Sequence, residues 1–291
     1  MAKRSKIRNI NNDDPRRIAV IQACIFAFRS TCQLYQWTDY DAGEFIANGC
    51  IVLFQHNDVY YGISNAHVLA DLHLHTTFFV LQDKSTITVG GELFYSDPLF
   101  SDRRQDDYLD MAIVKLNDNV TGFLKANGHV FLCLDQLISG LRLRQGNVVL
   151  LAGYPASKTM IDHKRRAIRV EPLMATTIPY LRNFKLAHFK QGFHHLIEFP
   201  IRSFKEVSSG QRMRAANLEG ISGSGLWLLI GEDGRPLPDP RLIGIVSEYH
   251  ENSAVIIATK IDLYVNVIRQ RFDPTLPNNG VSIDLDWVDK P

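Results

Sequence analysis

Short apolar runs separated by turn-forming segments recur through most of this chain, and that pattern limits the fold more than any other feature. Ile51-Val52-Leu53-Phe54 leads into His56-Asn57-Asp58 and then Val59-Tyr60-Tyr61, which reads as a hairpin. Comparable runs occur at 77–81, 86–89, 111–116, 148–152, 196–199, 226–230, 242–246 and 254–261. Between them lie turn-rich stretches such as Gly231-Glu232-Asp233-Gly234. Many short strands with few long helical patterns predict a barrel or a sandwich. With 45% hydrophobic and 22% charged residues, the chain can fill such a core, and wholesale disorder is excluded.

Helical periodicity is confined to the two ends. Asn12-Asp13-Asp14 before Pro15 is a helix-start signal. The spacing predicts a helix from Pro15 into the thirties, with Ile18, Ile21, Ile25 and Phe28 on one face. A second helix is expected over 262–272, where Tyr264, Val265, Ile268 and Phe272 share a face and Pro274 and Pro277 follow. Residues 1–11 read as a basic tail, and the end of the chain is acidic.

The net charge is only +1, so global charge favours neither nucleic acid nor a membrane surface. Two basic clusters, Lys3 to Arg17 and Lys164 to Arg169, read first as solvated surface. No stretch reaches the ~20 apolar residues of a membrane helix. Four cysteines without a C-x-x-C spacing suggest free thiols in a reducing compartment. A Cys24–Cys32 or Cys50–Cys133 bridge stays open. The expectation is a cytoplasmic protein.

Three short patterns carry chemistry: Ser64-Asn65-Ala66-His67-Val68-Leu69, Leu109-Asp110-Met111-Ala112-Ile113-Val114, and Gly220-Ile221-Ser222-Gly223-Ser224-Gly225. A serine hydroxyl is a poor nucleophile at neutral pH and needs a base, for which histidine has a suitable pKa. The imidazole needs an acid on its other nitrogen to fix its tautomer. A tetrahedral oxyanion needs fixed donors, and a glycine-rich turn can aim backbone amides at one point. Asp106 and Asp107 are rivals to Asp110, and Ser224 is a rival to Ser222. His67, His73 and His75 lie close in sequence but fit no zinc signature, so no metal and no cofactor is expected. His194 and His195, adjacent on a strand, should point to opposite faces.

In this order the three patterns resemble the trypsin/chymotrypsin-like serine peptidases, in their compact bacterial, HtrA-like branch. α/β-hydrolases run Ser, Asp, His, and the G-x-S-x-G they require is absent. The resemblance covers roughly residues 43–272. It implies an all-β-dominated, chymotrypsin-like double β-barrel with an N-terminal and a C-terminal helix. The expected division is 1–42 for tail and helix, 43–140 for the first barrel, 141–262 for the second, and 263–291 for the last helix and tail. It further implies His67 as general base, Asp110 as its orienter and Ser222 as nucleophile. The amides of Gly220 and Ser222 would form the oxyanion hole. Residues 242–247, ending at Ser247, resemble the strand after the nucleophile. Ala216 would lie at the base of the specificity pocket, with Tyr249 and Ile256 on its walls.

The implied activity is endopeptidase cleavage of protein or peptide substrates. A protease-fold module that binds a partner without cutting is the alternative. The interval from Asp110 to Ser222 is long for the family, so extra loop is expected within 156–215. Where secreted trypsins carry an activating aspartate, this chain has Ile221, so control by a regulatory partner, an N-terminal segment or pocket ordering is expected instead. No acid stands at the pocket base, which suggests small apolar residues before the cleaved bond, although Glu248 could attract a basic residue at the rim. Nucleic acid is disfavoured as a partner.

Overall fold

The structure is a computed structural model. It describes residues 15–69, 76–80, 85–96, 107–162, 167–185, 189–199, 204–205, 212–213, 218–230 and 236–280. The described residues open with helix α1 (Pro15–Arg29). Next come β1 (Thr31–Asp39), β2 (Glu44–His56), β3 (Val59–Ser64) and the single-turn helix α2 (Ala66–Leu69). β4 (Thr77–Val80), β5 (Thr86–Thr88), β6 (Gly91–Tyr95) and β7 (Ala112–Leu116) complete the first sheet. Its seven strands are antiparallel neighbours in the order β5-β4-β1-β2-β3-β7-β6.

Helix α3 (Asp118–Ala126) follows β7 and buries Val120 and Leu124 against this sheet, and the Asn117 side chain accepts from the Val120 amide at its start. Then come β8 (Val148–Gly153), the hairpin β9 (Thr159–Asp162) and β10 (Ala167–Val170), β11 (Leu173–Thr177) and β12 (His194–Glu198). A two-residue pair, β13 (Phe204–Lys205) and β14 (Arg212–Met213), precedes β15 (Gly225–Ile230), β16 (Pro236–His250) and β17 (Val255–Lys260). The second sheet has six antiparallel strands in the order β11-β8-β15-β16-β17-β12, and helix α4 (Ile261–Arg271) ends the description of regular elements.

Why the strands read as continuous apolar runs is plain from where their two faces go. In β2, Ile51 and Leu53 enter the interior of the first sheet, while Val52 and Phe54 enter a cluster shared by both sheets. β8 does the same on the other side: Val149 and Leu151 fill the second interior, and Leu150 and Ala152 join the shared cluster. β15 repeats it, with Leu226 and Leu228 inside and Trp227 in the shared cluster. Side chains alternate between faces, and both faces are buried. The shared cluster also takes Tyr264, Val265 and Ile268 of α4 and Ala23, Cys24 and Ala27 of α1. The result is the expected chymotrypsin-like double β-barrel, with a helix at each end.

Two sequence expectations change, and the expectation of free thiols holds. The first helix stops at Arg29, and β1 occupies residues expected to prolong it. Ser30 ends the helix by donating its hydroxyl to the carbonyls of Phe26 and Ala27. The aromatic and branched residues that follow then pair with β2. The buried face of α1 is not the isoleucine face. Ala23, Cys24 and Ala27 pack inward, whereas Ile18, Ile21 and Ile25 are 44%, 38% and 55% exposed. Small residues let the helix lie close to β8 and β16, so close packing outweighs side-chain hydrophobicity in choosing the face. All four cysteines are free thiols, so neither candidate bridge forms.

His194 and His195 do face opposite ways. Burial pushes the His195 imidazole down from 6.5 to about 3. The unfolded chain therefore binds a proton near pH 6.5 that the folded site rejects until about pH 3, so stability should fall as pH drops through that window. The expected slope is about 1.4 kcal/mol per pH unit. Urea unfolding between pH 7 and pH 4 reads it, and His195→Leu should flatten it.

Candidate active site

His67 sits in α2, directly after β3, and Asp110 directly before the buried start of β7. β3 and β7 are paired neighbours, with Ser64 opposite Ala112, so the two residues leave the sheet side by side. Asp110 Oδ2 lies 2.7 Å from His67 Nδ1, and Asp110 Oδ1 accepts the His67 backbone N–H at 3.0 Å. This two-point contact orients the ring with Nε2 directed away from the carboxylate. The Asp110 carboxylate is largely buried (13% exposed), while the imidazole is 38% exposed. Asp110 itself has a left-handed backbone (φ 43°), a conformation that non-glycine residues adopt rarely and mostly as Asn or Asp.

The rivals to Asp110 and Ser222 fall away on position. Asp107 is buried, accepting from the Ser96 hydroxyl at 2.5 Å and from the Leu109 amide at 3.0 Å. Burial pushes its carboxyl above the usual range. Asp106 lies outside the described residues. Ser224 is completely buried, so no substrate can approach its hydroxyl. Cys50, packed behind the same turn, is also no nucleophile, because burial pushes its thiol up to about 11.

Gly220-Ile221-Ser222-Gly223 lies within two consecutive four-residue turns. The Ile221 amide donates to Leu218 O and the Ser224 amide to Ile221 O, both at 3.0 Å. In each turn the third residue is a glycine at positive φ: Gly220 at 78° and Gly223 at 85°. Positive φ at that position marks a type II turn and explains the three-residue glycine spacing. The carbonyl of the residue before each glycine is held from outside. The Ala156 amide donates to Glu219 O and the Cys50 amide to Ser222 O, both at 2.8 Å. Because the peptide is trans, fixing Glu219 O turns the Gly220 N–H to the opposite side. Among the described residues, the amides of Ile221, Gly223 and Ser224 are used in backbone bonds, whereas those of Gly220 and Ser222 are not.

The Ser222 hydroxyl donates to the Ser247 carbonyl at 3.1 Å, and no hydrogen bond joins it to His67 among the described residues. Ser247 is buried and sends its own hydroxyl to Ile257 O at 3.2 Å. Tyr249 and Ile256 are register partners on β16 and β17. Ile256 is buried in the second interior, and Tyr249 packs against it and donates to Phe199 O. Ala216 lies outside the described residues. Ile221 is buried in the same interior, so an apolar contact replaces a charged one beside Ser222.

His73 and His75 also lie outside the described residues, and no group of three potential metal ligands occurs among those described. Sequence reasoning missed the residues that hold the Asp110 segment: Asn65, Ser96, Thr259 and His194. Nothing in their local sequence marks them, because each acts through a contact with a segment distant in the chain.

No family model matches the sequence, and no curated protein does. Among solved structures, the chain is similar to an inactivated protease paralogue of the scabies mite. The TM-score is 0.52 at 15% identity, covering 86% of this chain and 97% of that one. The HtrA-type protease AlgW with a decapeptide gives 0.48 at 16% identity, covering 87% of this chain and 66% of that one. The serine endoprotease from Yersinia pestis gives 0.47 at 16% identity, covering 86% and 65%. The chain thus spans about two thirds of the length of these last two proteases. At these identities the likeness concerns the fold, which is that of the trypsin-like serine proteases. No helix among the described residues is long and apolar enough to cross a membrane.

Proposed function

We propose that this chain is a serine endopeptidase that cleaves protein substrates through an acyl-enzyme. The observation that supports it most is the two-point grip of Asp110 on His67, which leaves the imidazole poised as a base. In the reactive state the Ser222 hydroxyl would leave Ser247 O and donate to His67 Nε2, which would complete the triad. Ser222 Oγ then attacks the substrate carbonyl carbon while His67 takes the hydroxyl proton. The amides of Gly220 and Ser222 stabilise the oxyanion. His67 returns the proton to the departing amine, and water releases the acyl group by the same steps. No cofactor takes part.

The free thiols suit a reducing, intracellular compartment. Ile221 offers no charge for an N-terminal activation pair, so control falls to a protein partner or to ordering of the pocket. A pocket walled by Tyr249 and Ile256, as the family resemblance implies, would favour small apolar residues before the cleaved bond. A peptide-library profile dominated by Lys or Arg would overturn that preference.

A fluorophosphonate probe tests the central reading, since it should attach to Ser222. The resting hydroxyl contact with Ser247 keeps a second reading in view, a silent module that binds a partner. Absence of labelling in every state tried would favour it. The turn gives an independent test. A Cβ on Gly220 would come within 2.7 Å of Ala156 Cβ and 2.8 Å of its amide nitrogen, at a φ that alanine resists. Gly220→Ala should therefore displace one oxyanion donor and cut kcat about 10²–10³-fold. Steady-state peptide hydrolysis measures it.

A further inference from the structure

Three successive carbonyls leading to and including Asp110 are each capped by a side chain from a different element. Asn65 Nδ2 donates to Asp110 O at 3.0 Å, Thr259 Oγ1 to Leu109 O at 3.1 Å, and a ring nitrogen of His194 lies 2.7 Å from Tyr108 O. Asn65 belongs to the first barrel. Thr259 on β17 and His194 on β12 belong to the second, the barrel that carries Ser222. The segment bearing the left-handed Asp110 is thus held across the barrel interface.

The tautomer of His194 follows from its two contacts. Its Nδ1 accepts the Lys190 amide at 3.0 Å, so Nε2 carries the proton and donates to Tyr108 O. The same loop also grips the Tyr108 side chain. The Phe193 ring stacks on it at 5.8 Å, and Lys190 Nζ lies 5.8 Å from the ring centre. One loop of the second barrel therefore clasps both ring and carbonyl of a residue two positions before Asp110.

We propose, resting on the endopeptidase reading above, that His194 is a positioning residue that transmits the conformation of loop 189–194 to Asp110 through the Tyr108 carbonyl. An oriented carboxylate is useful only if its backbone is fixed, and this segment has no strand pairing of its own before β7. A shift of the clasp moves Asp110 and with it the imidazole. The Gly220 turn, tied by the Ala156 and Cys50 amides, lies outside this clasp. The effect should therefore fall on the chemical step and spare binding.

Two substitutions separate the two bonds of His194. Asparagine places a polar atom near Nδ1 and can keep the Lys190 contact, but it falls short of Tyr108. Glutamine places its amide near Nε2 and can keep the Tyr108 contact. With a fluorophosphonate probe on the full chain, His194→Asn should lower the limiting inactivation rate about 100-fold with the half-saturating probe concentration within about threefold. His194→Gln should stay within about threefold of wild type in both. Thr259→Val removes the neighbouring cap and should lower the limiting rate in the same way, which keeps the test open if the asparagine variant does not fold. The proposal is overturned if folded His194→Asn labels at the wild-type rate, if His194→Gln falls as far as His194→Asn, or if Thr259→Val leaves the rate unchanged where His194→Asn cannot be folded. Wild-type protein that never labels at Ser222 would instead bring down the endopeptidase reading itself, and this proposal with it.

Discussion

Ser222→Ala is expected to stop fluorophosphonate labelling and to lower peptide hydrolysis about a million-fold, with the thermal unfolding midpoint unchanged. The oxygen proposed as nucleophile is lost outright, and neither described candidate beside it can replace it. Ser224 is fully buried, and the Cys50 thiol is held protonated by burial. On the stability side, the change removes one hydroxyl that donates to Ser247 O from a partly buried position. The backbone bonds that shape the turn, from Cys50 N to Ser222 O and from Gly223 N to Val246 O, do not depend on that hydroxyl. Labelling that persisted in Ser222→Ala would place the nucleophile elsewhere and end the assignment. Mass spectrometry of the labelled peptide decides it.

Asp110→Asn should lower kcat by about 10⁴-fold while leaving the fold intact, as loss of the orienting charge does in such triads. Here the geometry gives the reason directly. One carboxylate oxygen accepts the His67 backbone N–H and the other lies 2.7 Å from Nδ1. An asparagine that keeps its oxygen on the backbone N–H must turn its NH2 group toward Nδ1. The imidazole would then carry its proton on Nε2, which is the nitrogen that has to receive the serine proton. The opposite flip would set the NH2 group against the backbone N–H. Circular dichroism and the unfolding midpoint should match wild type. A wild-type kcat in a folded Asp110→Asn would show that the carboxylate has no part in the chemistry.

Much of the architecture was legible because both faces of the central strands are buried. Runs such as 148–152 and 226–230 are almost wholly apolar, and each became a strand. β1 was missed because it follows the helix after a single residue, and no Gly or Pro marks the change. Helix α3 was missed although Asn117 caps it, because it is only nine residues long and carries the weak helix formers Val120, Thr121 and Gly122 at its centre. The isoleucine face of α1 misled for a different reason. Periodicity reports that a helix has a stripe, but which stripe is covered depends on how closely the neighbouring strands can approach.

The sequence alone determined which residue types could serve as base, acid and nucleophile, and in what order along the chain. It also determined where backbone could turn left-handed, because glycine three residues apart in Gly220 and Gly223 is a local steric property. Only the tertiary structure decided that Asp110 reaches His67 while Asp107 is bound to Ser96 instead. It alone showed that Ser222 is partly exposed while Ser224 is sealed, and that side chains from the second barrel hold the carbonyls leading to Asp110. Those outcomes depend on contacts between segments far apart in the chain, whose energies no local pattern records.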